Sequence, residues 1–142
     1  MNLLYRALRK EEIEKGNILL PKSMEPFKAP LRFPVTFPLT FGDTVSHAIR
    51  DHQWDSKFPT RGISTSPLRE VAFEKYGKSF GVIANINRDV LVEYGVTEYI
   101  VNENIPINEV FAPEDEEIIL VYKNEGPLPR EINYKVVELE IT

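Results

Sequence analysis

The sequence predicts a single α+β domain built mostly from antiparallel sheet, and three observations lead there. The chain has 142 residues, inside the usual size range of one hydrophobic core. Apolar residues make up 42% and charged residues 27%, enough for a packed interior and a hydrated surface. Short helical patterns come early and most strand patterns later, without the regular alternation of strand and helix that a doubly wound parallel fold requires. One domain over 1–142 is therefore expected, with no internal repeat, low-complexity tract or linker.

Leu3 to Leu8 is a short apolar run interrupted by Arg6, which reads as a first strand. Arg9 to Lys15 is charged around Ile13 and stops at Gly16, as a short helix does. Residues Pro21 to Pro38 hold five of the eleven prolines; proline blocks helix interiors and central strands, so an extended surface loop is expected. Phe27, Phe33, Phe37 and Phe41 would anchor that loop, which could cover a cleft or recognise a target. Asp43-Thr44 can cap a helix running to about Asp51, with Val45, Ala48 and Ile49 at helical spacing.

Gly62 to Ser64 reads as a strand, and Ser66-Pro67 as an N-cap followed by proline at the first helical position. The helix would carry Leu68, Val71, Ala72 and Lys75 on one side, reach Tyr76 and stop at Gly77. Phe80 to Ile86 and Val90 to Tyr94 are strand candidates joined by Asn87-Arg88-Asp89. Asn104 to Val110 reads as a loop with a turn, Ile118 to Tyr122 as the strongest strand, and Tyr134 to Ile141 as the last.

Composition narrows the chemistry. The chain has no cysteine, which removes disulfides, thiolate metal sites and cysteine nucleophiles. Its two histidines, His47 and His52, are too few for an all-protein structural zinc site. A net charge of −5 argues against a broad nucleic-acid footprint. The first residues lack a signal-peptide pattern, and no apolar run reaches the roughly 18 residues needed to span a bilayer. A cytoplasmic protein without a membrane partner is expected.

Four groups of residues could carry function. Arg6 is a cation in an apolar strand, costly to bury unless paired; it either faces water on an edge strand or uses its planar fork on phosphate oxygens in a cleft. Ser64, Thr65 and Ser66 close a strand and open a helix, so a cap and a strand end is the plain reading; the same corner can also bring a serine hydroxyl to a neighbouring carboxylate. Glu114-Asp115-Glu116-Glu117 would ordinarily be a solvated loop, yet it abuts Ile118 to Tyr122 without a spacer. In extended chain Asp115 and Glu117 would share a face, and two such carboxylates could do general-base and electrostatic work, one pKa raised by the other charge. His47, on its short helix, reads first as an ordinary polar residue. Trp54 reads as a packing residue.

Taken together these segments resemble the arginine–serine–glutamate class of ADP-ribosyltransferases, typified by the cholera toxin and heat-labile enterotoxin catalytic chains. Leu4-Tyr5-Arg6-Ala7, Glu11-Glu12-Ile13 and Gly16 to Pro21 are similar to that family's opening strand, helix and turn. Gly62-Ile63-Ser64-Thr65-Ser66 is similar to its serine–threonine–serine strand, the His47-Ala48 helix lies at a matching distance upstream, and Asp115-Glu116-Glu117-Ile118 resembles its closing glutamate motif. The resemblance covers about residues 3 to 122. It implies a split pair of antiparallel sheets with short helices around an NAD cleft, and a mono-ADP-ribosyltransferase, a glycosyltransferase that cleaves NAD as substrate without a metal.

On that resemblance Arg6 binds NAD phosphate and braces the cleft, with Tyr5 beside it. Ser64 holds the catalytic glutamate, Thr65 and Ser66 shape the strand end at the nucleotide, and His47 supplies a further polar contact. Glu117 bonds the nicotinamide ribose and stabilises the positive charge that develops as nicotinamide leaves, and Asp115 precedes it by two residues. Asp115 departs from the glutamate or glutamine that arginine-modifying members carry there. Two registers stay open, Glu117 or the Glu114–Glu116 pair, and the strand opening at Ile118 favours Glu117. The implied acceptor is a protein, with a nucleic acid still open, and plain NAD hydrolysis is a related activity. RNA 2′-phosphate removal is implied less, because the enzymes that perform it resemble a different, histidine-rich motif set. The implied setting is the cytoplasm of the producing cell, or of a cell into which a toxin-like chain is delivered. The competing expectation is a catalytically silent module of the same fold that binds a nucleotide or a protein.

Overall fold

The computed structural model describes residues 2–22, 49, 62–77 and 80–139. Within them the chain is α+β, with six strands and few, short helices. β1 (Leu3–Ala7) is followed by α1 (Lys10–Glu14), β2 (Ile63–Thr65), a π-helix (Val71–Tyr76) and β3 (Val82–Asn87). Next come β4 (Val96–Ile100), α2 (Val101–Asn104), β5 (Ile118–Tyr122) and β6 (Asn133–Glu138). The strands form two antiparallel three-stranded sheets, ordered β1-β3-β6 and β2-β5-β4.

Burial explains this arrangement. Leu4 on β1 and Ala84 and Ile86 on β3 share one buried cluster with Ile63 on β2, Val96 on β4 and Ile118 and Leu120 on β5. Both sheets therefore contribute to a single core. Ile119 points the other way and packs with Ile49, Val101, Ile105 and Val110. β5 is thus apolar on both faces, and its unbroken Ile-Ile-Leu-Val run belongs in the centre of its sheet. The sheets meet where Tyr5 pairs with Ser66, the Tyr5 N–H donating to Ser66 O at 2.7 Å and the Ser66 N–H to Tyr5 O at 3.0 Å.

Several elements differ from the sequence reading. The strand expected over 90–94 is instead a 3-10 turn (Arg88–Val90) running into further turns as far as Gly95, and the strand begins at Val96. The Asn87 side chain accepts the Asp89 N–H and starts the turn. Only Leu91 of the apolar residues there is buried, while Val92 is 90% exposed. Gly95, at φ +79°, provides the left-handed step back into strand. The helix expected over 67–76 starts later than expected. Leu68 N donates to the Ser66 hydroxyl at 3.0 Å, but Pro67 lies in a bend, winding begins only at Arg69, and the chain forms a π-helix over Val71–Tyr76. Asn104 to Val110 contains the end of α2 and a 3-10 turn at Ile107–Glu109. The proline-rich loop beyond Lys22 and the Asp43 to Asp51 helix, apart from buried Ile49, lie outside the described residues.

Candidate functional site

Strand alternation puts Arg6 on the same face of β1 as Leu4 and Leu8, which are 0% and 3% exposed. The guanidinium therefore points inward rather than to water, and its side chain is 11% exposed. The sequence provides its counter-charge six residues later. Glu12, fully buried on α1, takes Arg6 Nη2 on Oε1 at 2.9 Å and Arg6 Nε on Oε2 at 3.1 Å. The same carboxylate accepts the Arg9 N–H at 2.9 Å and the Leu20 N–H at 3.0 Å. The Arg9 bond is one half of a capping box; arginine has no acceptor, so the other half cannot form. Glu12 thus fixes the arginine, the helix start and the turn after the helix at once.

The third nitrogen of Arg6, Nη1, donates to the backbone oxygen of Ser64 at 2.8 Å. Register then carries the connection forward. Ser64 pairs with Ile119 across β2 and β5, and Glu117, two residues before Ile119, is its diagonal neighbour on the same face. The Ser64 hydroxyl donates to Glu117 Oε2 at 3.1 Å. Glu12, Arg6, Ser64 and Glu117 are therefore linked in one hydrogen-bonded series running from the first sheet to the second. Glu117 is half-buried at the mouth of β5, and its backbone oxygen accepts Val101 N at 3.1 Å. Glu116, the other register, is exposed with φ +50°.

The remaining candidates fall into place around this series. Thr65 is 5% exposed and donates its hydroxyl to Ile118 O at 2.8 Å, while Ser66, 4% exposed, donates to Asp115 O at 2.6 Å. Both hydroxyls are spent within the protein, joining β2 to the approach of β5. Tyr5 points to the face opposite Arg6 and meets Phe73 edge-on at 6.5 Å. His47 lies outside the described residues.

Asp115 departs from expectation. The chain there is not extended: Pro113–Asp115 is a 3-10 turn and Glu116 is left-handed, so the two-residue spacing to Glu117 no longer implies a shared face. The Asp115 carboxylate is buried against the π-helix, accepting Lys75 Nζ at 2.8 and 2.9 Å and the Tyr76 hydroxyl at 2.9 Å. The hydrogen bond to Asp115 holds the Lys75 ammonium above its ordinary pKa. Burial, helped by the same carboxylate, pushes the Tyr76 phenol up.

Sequence reasoning gave no role to Glu12 or to the Lys75 and Tyr76 grip on Asp115. Glu12 had a signal, a carboxylate at the third residue of a helix, masked by the unusual arginine cap. Lys75 and Tyr76 had none, since they lie 40 and 39 residues from their partner.

Chemically, the series presents a carboxylate whose orientation is fixed by a hydroxyl, itself positioned by a guanidinium that is neutralised from behind. Such a group suits stabilisation of developing positive charge. Among the described residues no cluster of His, Asp and Glu is placed to hold a metal ion, and no helix is long and apolar enough to cross a membrane. An open cavity of about 630 Å³ beside Asn2, Arg88, Leu91, Glu98 and Lys123 shares no residue with the series. Compared with models of protein families, with curated proteins and with solved structures, the chain has no match.

Proposed function

We propose that the protein is a mono-ADP-ribosyltransferase of the arginine–serine–glutamate class, which cleaves NAD and transfers ADP-ribose to a macromolecule, with NAD hydrolysis as a side activity. The observation that carries this reading is the bond from Ser64 to Glu117 at 3.1 Å, with Arg6 seated on the backbone of the same serine at 2.8 Å. These residues are 53 and 58 positions apart, and the resemblance assigned them jointly to one site. The two antiparallel sheets joined at Tyr5 and Ser66 are in keeping with an NAD cleft between them.

In this reading the bond between ribose C1′ and the nicotinamide nitrogen breaks, and its electron pair leaves with neutral nicotinamide. Positive charge spreads over C1′ and the ring oxygen, as in other glycosidic cleavages. Glu117 accepts a ribose hydroxyl and stabilises that charge, and Ser64 keeps its carboxylate in place. The acceptor, by preference a protein side chain, then attacks C1′ and loses its proton. Arg6 chiefly braces the site, since each of its three nitrogens already donates to Glu12 or Ser64; any contact with NAD phosphate is additional to that role.

Nicotinamide release from NAD by the full chain tests the proposal. Glu117→Gln should lower kcat by about 100-fold or more, the scale for removing one preorganised electrostatic contact at a transition state. Equal release by both proteins would remove Glu117 from the chemistry. Calorimetric binding of NAD without turnover, in buffer or with any lysate, would replace the enzyme with a silent nucleotide-binding module.

A further inference from the structure

We infer that Asp115 is a positioning residue: gripped by Lys75 and Tyr76, it locks the turn that delivers Glu117 to Ser64. This rests on Glu117 acting in NAD cleavage, as proposed above.

The turn is bounded by two residues in the left-handed region, Ala112 at φ +53° and Glu116 at φ +50°. Neither is glycine, and L-residues hold such conformations only where surrounding contacts over-determine them. Those contacts come from three elements. Asn102 of α2 donates to Pro113 O at 3.0 Å. Ser66, at the end of β2, donates to Asp115 O at 2.6 Å. Lys75 and Tyr76 of the π-helix take both Asp115 carboxylate oxygens at 2.8 to 2.9 Å. Asp115 is held through both its backbone and its side chain, and it is 8% exposed.

Glu117 leaves this turn two residues later, through the left-handed Glu116. Without the clamp, Glu116 can relax toward ordinary backbone angles, and the Glu117 carboxylate swings relative to a serine fixed by Arg6. A π-helix interrupts regular winding and is frequent at functional sites; here it carries both side chains that close on the carboxylate. A displacement of about 1 Å at a reacting group is enough to cost roughly 100-fold in rate. Loss of the clamp should therefore appear in kcat rather than in NAD binding.

The test uses the full chain with Asp115→Asn, Lys75→Met, Lys75→Arg and the Lys75→Met/Asp115→Asn pair. It reads nicotinamide release together with amide hydrogen exchange at Glu116, whose N–H donates to Pro113 O, and at Ile119 in β5. Asp115→Asn and Lys75→Met should each lower kcat by about 10- to 100-fold, with KM for NAD within about 3-fold of the parent. The pair should lose little more than the worse single variant, since the Lys75–Asp115 contact is common to both, while Asp115→Asn also weakens the Tyr76 bond and Lys75→Met also removes the 3.8 Å approach to Glu114. Lys75→Arg should keep most of the parent kcat. Glu116 exchange should quicken at least about tenfold while Ile119 stays protected, which separates a loosened turn from an unfolded protein. Lys75 is on the surface, so its variants stand in if Asp115→Asn does not fold. Unchanged Glu116 exchange in a folded Asp115→Asn or Lys75→Met overturns the clamp. Faster exchange with parental kcat, or losses that multiply in the pair, overturns the positioning role. No nicotinamide release from the parent overturns the enzyme proposal itself, and the catalytic half of this inference with it.

Discussion

Glu12 takes no part in the proposed chemistry, yet four hydrogen bonds converge on its buried carboxylate. Glu12→Ala would strand the Arg6 guanidinium inside the protein and orphan the N–H groups of Arg9 and Leu20. Removing one partner of a buried ion pair costs about 3–5 kcal/mol, so a fall of that size is expected in urea unfolding of the variant. A loss below about 1 kcal/mol would mean that water reaches Arg6 and repairs the damage. At this scale the sequence is informative where residue type conflicts with its surroundings. Arg6 inside an apolar strand and Glu117 against an apolar run stand out for that reason, and Ser64 is found through them. Glu12 lies in a charged helix among residues of its own kind, and nothing local marks it as buried.

The π-helix shows what elements conceal. Its end at Gly77 is legible from the helix-stop rule, but neither its late start after Ser66-Pro67 nor its widened winding is. Gly77 has an ordinary helical φ of −73°, so an alanine there would gain about 0.4–1 kcal/mol by restricting the unfolded chain. A Cβ would nevertheless sit 2.6 Å from Ala72 O and 2.9 Å from Ile83 Cδ1. The nearer obstacle is backbone and cannot rotate away, so overpacking wins and Gly77→Ala should destabilise the protein by about 1–3 kcal/mol. A shift of the urea midpoint to higher concentration would contradict this. β5 was fully legible because burial on both faces leaves an uninterrupted apolar run. β4 was not: Val96–Ile100 carries Thr97 and Glu98 among its apolar residues, and the neighbouring 90–94 segment has as strong an apolar pattern. The acidic turn escapes the sequence for a related reason: strand periodicity does not reach back past Glu117, because two left-handed residues bend the chain there.

For the whole molecule, the Lys75–Asp115–Tyr76 contact predicts the alkaline limb of stability. Lys75 is raised chiefly by its hydrogen bond to Asp115, and Tyr76 chiefly by burial. Both then bind their protons more tightly in the folded chain than in the unfolded one. Their contribution is complete at neutral pH and is lost as pH rises through about 10 and beyond. The melting temperature should fall more steeply between about pH 9 and about pH 11 in the parent than in Lys75→Met/Tyr76→Phe; parallel curves would show that the contact is not coupled to folding. The coarse architecture, α+β with mostly antiparallel strands and short helices, was legible at this scale from the order of strand and helix patterns, while the split into two sheets was implied only by the resemblance. The convergence of Arg6, Ser64 and Glu117 was legible only through the family resemblance, because no local rule brings together residues separated by 58 and 53 positions. That separation also governs when the series can exist. Closing loops of this length is entropically slow, and contacts of high sequence separation delay folding. A growing chain emerging from the ribosome holds Arg6 and Ser64 long before Glu117, so the four-residue series is absent until β5 has been synthesised and paired with β2.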